Sequence, residues 1–544
     1  MSEPGAGDSR PSRDVIRIPD LLHPEPRLAL DGKALSELLE IGFLGGAHGP
    51  TLDRALAPPH LAASPWKPEF FVEDLFLDEL IEECLTVTLS GRKIPVNGVF
   101  LRRVLSQPPP NVETIHFRQE ILRELSDDPE TSALTHELYG MLFRLLSLFK
   151  APHKGAKLDL TMFRIELLEH AKQTIDFMAR KFAGARSALR RISEAALEIQ
   201  ESTEYRTLTA LLDYDDHLGR VDFQIRVGGD GKIRRLEIQG IQENVKNVFY
   251  RGPWKRLWDR FELSRRGYEF SNREIVNRVV QEVFNDITDW LKPLLQLQCH
   301  LSFYLASAAF RERCLSQGLD VCLATFPDEG SMDLRHLFNP LLLRQGQPVP
   351  CSVATGSHDS IVVITGPNSG GKTRLLQAIG LAQLLGQSGL YVPAASAQLP
   401  IVDGLFASST ERTDVDQREG RLGTELVRIR TLFESIGSRS MVLMDELCSG
   451  TNPSEAVDIF LVVLELLSGL HPVAFITTHF LDFGRELERE PPVELLEFLQ
   501  VEMDGERSTY QFVPGVAPTS LARSTARRLG VTLETLSELV KKPS

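Results

Sequence analysis

The spacing of apolar positions changes character several times along the chain. Residues 1 to about 65 are rich in Pro, Gly and small polar residues, with short apolar pieces such as Leu35 to Ile41. That composition predicts a mostly flexible arm with one short helix. From Phe70 to Lys150 the spacing turns helical. Leu75, Leu77, Leu80 and Ile81 begin it, Pro108-Pro109-Pro110 interrupts it, Ile115 to Leu125 resumes it, and Ser132 to Phe149 closes it. Residues 158 to 212 keep helical spacing through Leu160, Phe163, Leu167, Ala171, Ile175, Met178, Phe182 and Leu189 with no proline. This predicts one long helix or two collinear ones. The period then drops to two over Val221 to Val227, a turn follows at Gly228-Gly229-Asp230-Gly231, and Ile233 to Ile238 partly alternates again. That is a β-hairpin signal. Helical spacing returns from about Ser271 to Ala309, so a small, partly β insert sits between two long helical arms. From Cys314 onward strand and helix patterns alternate, as in an α/β domain.

One stretch of that last part carries chemistry. Ile361 to Ile364 is a buried-strand pattern that runs into Thr365-Gly366-Pro367-Asn368-Ser369-Gly370-Gly371-Lys372-Thr373. The fit to Gly-x-x-x-x-Gly-Lys-Thr, from Gly366 to Thr373, is that of a phosphate-binding loop for ATP or GTP with Mg²⁺. Glycines let backbone N–H groups wrap the phosphates. A helical pattern over Arg374 to Leu385 points its positive dipole end at them. Lys372 would reach the β- and γ-phosphates, and the Thr373 hydroxyl would hold Mg²⁺. A second strand pattern, Ser440 to Met444, ends in Asp445-Glu446. Asp445 would bind Mg²⁺ and Glu446 would polarise the attacking water. A third strand, Val473 to Thr477, ends in Thr478-His479-Phe480, and His479 sits where ligands bind in open α/β sheets.

Composition adds limits. At 544 residues, several domains are expected. No apolar run reaches membrane-spanning length, and Met1 to Arg13 lacks the apolar centre of a signal peptide. The six cysteines form no C-x-x-C pair and read as reduced thiols of a cytoplasmic protein. The net charge of −14 argues against a uniformly basic nucleic-acid binder. Against it, residues 218–270 hold twelve Lys/Arg and seven acids, with Tyr250, Trp254, Trp258 and Tyr268 interleaved. Two readings stand: a solvated surface over core aromatics, or contact with a phosphate backbone through residues such as Lys232, Arg234, Arg235, Lys255 and Arg256.

The motifs, taken in order, resemble the MutS mismatch-repair ATPases. Thr365 to Thr373 is similar to that family's T-G-P-N-M-G-G-K-S loop, and Gly389-Leu390-Tyr391-Val392-Pro393-Ala394 to its G-x-[FY]-V-P-A. Leu443 to Thr451 resembles L-x-D-E-x-x-x-G-T, Thr477-Thr478-His479 resembles T-x-H, and Tyr510 to Val516 with Ala526 to Val531 resembles the closing helical segment. Asn97 to Leu105 and His116 to Gln119 resemble the start of the family's helical core. The resemblance narrows the nucleotide to ATP with Mg²⁺, gives His479 a γ-phosphate-sensing role, and implies a homodimer acting on DNA in mismatch repair or related repair, in the cytoplasm with the nucleoid. The fold it implies is α plus α/β and multidomain: an arm over 1–65, a helical core over 66–157, lever helices over 158–312 with a clamp-like insert at about 218–270, and an ABC-type ATPase domain over 313–544. The departures count too. The arm is too short for the family's mismatch reader and connector, and no nuclease-like domain follows the ATPase. Phe71-Val72-Glu73, which resembles the mismatch wedge, lies inside the helical core. Gln417 to Glu425 lacks the usual Ser-Thr-Phe of the signature, leaving Gly420 to start that helix. Asn452-Pro453-Ser454-Glu455 resembles the second MutS type, which is associated with recombination intermediates. Two alternatives therefore stand beside mismatch repair: modulation of branched DNA, and a nucleotide-gated interaction protein with little DNA affinity.

Overall fold

The computed structural model describes residues 17–46, 49–58, 65–89, 91–150, 157–216, 220–227, 233–242, 272–327, 330–367, 369–408, 420–447, 452–505 and 507–518, with 531, 535 and 537. They form two compact units, one of residues 1–56 and 128–301, the other of 57–127 and 302–544. Among the described residues no helix is long and apolar enough to cross a membrane.

Among its described residues the first unit is helical apart from one hairpin. Its N-terminal part is folded over the described residues, where a mostly flexible arm was expected. Leu21, Leu22, Leu35 and Phe43 are buried, and the Phe43 ring stacks on Phe284 at 3.8 Å. Two helices, Gly32–Phe43 and Gly49–Leu56, stand there instead of one. The reason is long-range polar contact that composition does not reveal. The Arg191 guanidinium donates to the carbonyls of Asp20 and His23, each at 2.8 Å, and to that of Pro24.

Residues 158–212 are not one helix or two collinear ones. They lie in helices Lys157–Lys181, Arg190–Glu201 and Thr203–Asp216, which pack against each other. The turn around Gly184 to Ser187 breaks the run without a proline, and the apolar spacing continues across it because the flanking helices face one core. Asp176 fastens the three: its carboxylate accepts from Lys172 Nζ at 2.8 Å and Gln200 Nε2 at 2.7 Å, and from the Tyr205 hydroxyl. The alternating stretch forms the expected antiparallel hairpin, Arg220–Val227 with Ile233–Gln242. The helix after it runs Asn272–Ser316.

The second unit is built on a six-stranded sheet. Its strands are β1 (Ile361–Thr365), β2 (Gly404–Ser408), β3 (Ser440–Met444), β4 (Val473–Thr478), β5 (Leu496–Asp504) and β6 (Arg507–Pro514). The order is β2-β3-β4-β1-β5-β6, parallel except for the β5–β6 pair. Every residue of β1, β3 and β4 is buried, as their unbroken apolar runs require of strands covered on both faces. Helix α1 (Lys372–Gln387) follows β1, α2 (Gly420–Phe433) precedes β3, and α3 (Pro453–Leu470) links β3 to β4.

Residues 57–127 belong to this unit, so the helical core expected over 66–157 is divided at Asp127. Polar side chains explain the allegiance. Trp66 Nε1 donates to the Val402 carbonyl at 3.0 Å, Arg118 Nη1 to that of Ser388 at 3.0 Å, and Gln119 Nε2 to that of Ala324 at 2.8 Å. Phe71 is fully buried, edge-on to Trp66, so the Phe-x-Glu resemblance falls on a core residue. A short hairpin, Val87–Leu89 with Arg92–Ile94, was not expected; Gly91 turns it at φ +76°. The cysteines are mostly buried, and burial pushes the Cys314 and Cys351 thiols up to about 12; Cys448 lies outside the described residues.

Candidate functional site

β1 delivers the chain to Gly366 at the carboxyl end of the sheet's interior. Gly366 has φ +142°, and a Cβ there would lie 2.6 Å from Val501 Cγ2 of β5. Gly371 caps α1 from a left-handed conformation, φ +88°. The loop therefore presents bare backbone at a helix N-terminus, the arrangement that receives phosphate. Pro367 and Gly370 are buried beneath it and Ser369 is exposed, while Asn368 lies outside the described residues.

Lys372 is 3% exposed. Its Nζ donates to the carbonyls of Gly366 at 2.9 Å and Pro367 at 3.1 Å. Burial holds the ammonium below the usual lysine range, and the charges of Glu446 and Asp445 offset part of that. Among the described residues its partners are carbonyls, with no bonded counter-charge, which suits it to receive anionic oxygens.

The other half comes from β3 and β4. Thr373 Oγ1 donates to Asp445 Oδ2 at 2.7 Å, joining the loop to the end of β3. Asp445 is 5% exposed. Its Oδ1 accepts from Thr477 Oγ1 at 2.7 Å, and the same hydroxyl accepts from the Glu446 N–H at 2.7 Å. Glu446 itself is held at φ +52°, a conformation that costs a non-glycine residue about 1–3 kcal/mol and persists where surroundings over-determine it. His479 follows β4, with its ring 4.2 Å from that of Phe480. Its Nδ1 is buried without a hydrogen-bond partner among the described residues.

Lys372, Thr373, Asp445 and Glu446 are thus brought together, with His479 at the end of the strand between β3 and β1. The residue pair fits Mg²⁺: a hydroxyl and a carboxylate in contact, next to a loop that presents bare backbone at a helix N-terminus. A cavity of about 260 Å³ adjoins Gly371, walled by Phe338, Val349, Leu375, Ala378, Tyr510 and Phe512. Asn339 closes its floor, donating through Nδ2 to the Arg374 carbonyl and to Gln377 Oε1, each at 3.2 Å. A larger cavity of about 570 Å³ opens by Arg439, Ser440 and Val473, where β3 and β4 begin, and lacks the phosphate loop. Thr477 and the Tyr510 wall were missed in the sequence; the first sits in the T-x-H motif, where a strand-end Thr reads as β-propensity. Helix α2 starts at Gly420. Of the basic candidates, Lys232, Lys255 and Arg256 lie outside the described residues. Arg234 and Arg235 are on the second hairpin strand, where Arg235 is the register partner of Arg226.

Residues 362–539 match the model of MutS domain V. Over that stretch the chain is similar to the MutS family. Three curated relatives, each named Endonuclease MutS2, are similar to it. The one from Shouchella clausii is 31% identical over 263 residues, covering 47% of this chain and 32% of the relative. The one from Thermomicrobium roseum is 28% identical over 376 residues, covering 66% and 46%. The one from Thermus thermophilus is 33% identical over 204 residues, covering 38% and 27%. The chain thus spans less than half the length of these MutS relatives. The stretch matched to MutS domain V contains Lys372, Thr373, Asp445, Glu446, Thr477 and His479.

Proposed function

We propose that this chain is a Mg²⁺-dependent ATPase of the MutS type whose nucleotide cycle is coupled to DNA binding. The observation that carries the reading is the Thr373–Asp445 contact beside a buried, carbonyl-held Lys372. On ATP binding the Gly366–Thr373 backbone would cradle the phosphates, and Lys372 would exchange its two carbonyls for phosphate oxygens. Thr373 and Asp445 would hold Mg²⁺, which neutralises charge on the phosphates. Glu446 would take the proton of the attacking water, and His479 would donate to the γ-phosphate. The cavity beside Gly371 would take the base.

A homodimer is the expected working form, with Gly420 and α2 facing the partner's nucleotide. The clamp-like insert, with an excess of five positive charges over residues 218–270, supports contact with DNA phosphates rather than bases. The process is DNA repair, with mismatch repair and the handling of branched DNA as its two forms. The latter is favoured by Asn452 to Glu455 and by relatives named MutS2. A cytoplasmic, nucleoid-associated location fits either.

One binding panel tests this. Mismatched, paired and branched duplexes are titrated across a salt series, with and without ATP. Backbone gripping predicts log affinity falling linearly with log salt, by roughly 0.9 per neutralised phosphate. Absent or salt-independent binding in the presence of ATP hydrolysis would favour a nucleotide-gated interaction protein instead.

A further inference from the structure

Thr477 lies wholly buried near the end of β4, a strand that separates β3 from β1. Its hydroxyl is used twice: it donates to Asp445 Oδ1 and accepts from the Glu446 N–H, both at 2.7 Å. Asp445 spends its other oxygen on Thr373. One continuous chain of hydrogen bonds therefore runs Thr373, Asp445, Thr477, Glu446 backbone.

Two consequences follow from geometry. With Oδ1 anchored, Oδ2 is the oxygen turned toward the loop and toward Thr373. With its N–H anchored, Glu446 is kept in the left-handed conformation that a glutamate does not choose unaided. A buried hydroxyl with a single donor and spare acceptor capacity suits this double role, because one rotor setting satisfies both neighbours.

We infer that Thr477 is a positioning residue which, through one hydroxyl, sets both the metal-binding Asp445 and the water-activating Glu446. The inference rests on the ATPase reading above and adds a third position to it.

The test compares Thr477→Val and Thr477→Ser in the full chain. Val keeps the shape and removes both hydrogen bonds; Ser keeps them. Thr477→Val is expected to lower ATP turnover by roughly tenfold or more, with affinity for a non-hydrolysable ATP analogue at saturating Mg²⁺ within about twofold. The Mg²⁺ concentration for half-maximal analogue binding is expected to rise roughly tenfold. Thr477→Ser is expected to restore both. If Val does not pack, Thr477→Ala gives the same readouts. Wild-type turnover in the hydroxyl-free variant, or a Ser variant as slow as Val, would overturn the inference. So would turnover and analogue affinity falling together. A wild type that binds but never hydrolyses ATP would sink the ATPase reading alone, and the Mg²⁺ half-saturation would still decide the role of Thr477.

Discussion

Each unit buries a polar network, and the two are finished differently. In the first unit Asp20 is fully buried. Its carboxylate accepts from the Leu22 N–H at 2.8 Å, the Arg27 N–H at 3.1 Å and the His23 ring at 2.7 Å, with His300 Nδ1 3.5 Å away. Burial alone would raise this carboxyl; the His23 hydrogen bond and the charges of His300 and His23 outweigh it and hold the group below its usual range. In the second unit Lys372 rests on carbonyls, Glu446 is conformationally strained, and His479 Nδ1 is buried without a partner among the described residues. Both networks bury charge, so burial does not mark function. What separates them is that the first is closed within its own unit, while the second has ends prepared for something else.

That contrast can be broken by mutation. The largest effect is expected from Lys372→Ala, which should weaken ATP-analogue binding on the order of 10²-fold or more, since charge-assisted contacts to phosphate are lost. If its melting temperature collapses instead, the lysine belongs with the closed networks. Glu446→Gln should keep analogue binding while turnover falls by about 10²- to 10⁴-fold; an unchanged hydrolysis rate would remove Glu446 from its role.

Asp20→Asn should cost the fold about 1–3 kcal/mol at neutral pH and leave turnover per folded molecule unchanged. The sign of its pH dependence follows from the lowered folded value. The contribution is full above the ordinary carboxyl value of 3.8 and is lost as pH falls through the lower folded one. Denaturation curves across pH 2–6 should therefore flatten in the variant on the acid side. The smallest effect on stability is that of Glu446→Gly, which should stabilise by about 1 kcal/mol through relief of the left-handed backbone. A destabilised glycine variant would mean that φ +52° stores no strain.

The legible parts of the sequence were those set by local rules. An unbroken apolar run followed by Gly366 to Thr373 gave β1, the loop and α1, because parallel buried strands and phosphate loops each have a local signature. Asp445-Glu446 and His479 were legible by their places at strand ends. The hairpin at 87–94 was not, since three-residue strands carry too little alternation to register. Nor was the break near Gly184, where helices on one core keep a common spacing. Asp20, His23 and Pro24 are held by Arg191, far along the chain, and Thr477 acts through neighbours on β3. Contacts of that kind leave no periodic trace.

The threading of residues 57–127 into the second unit has a consequence for the order of synthesis. Phe71, Ile115 and Leu122, all buried in the finished unit, leave the ribosome first. The whole of 128–301 is then made before 302–544 can cover them. Arg118, Gln119 and Trp66 likewise wait for Ser388, Ala324 and Val402. The first unit can close during translation, but the second is a split unit with an apolar half held open meanwhile. The sheet that carries the Gly366–Thr373 loop is thus completed only after residues 302–544 are made.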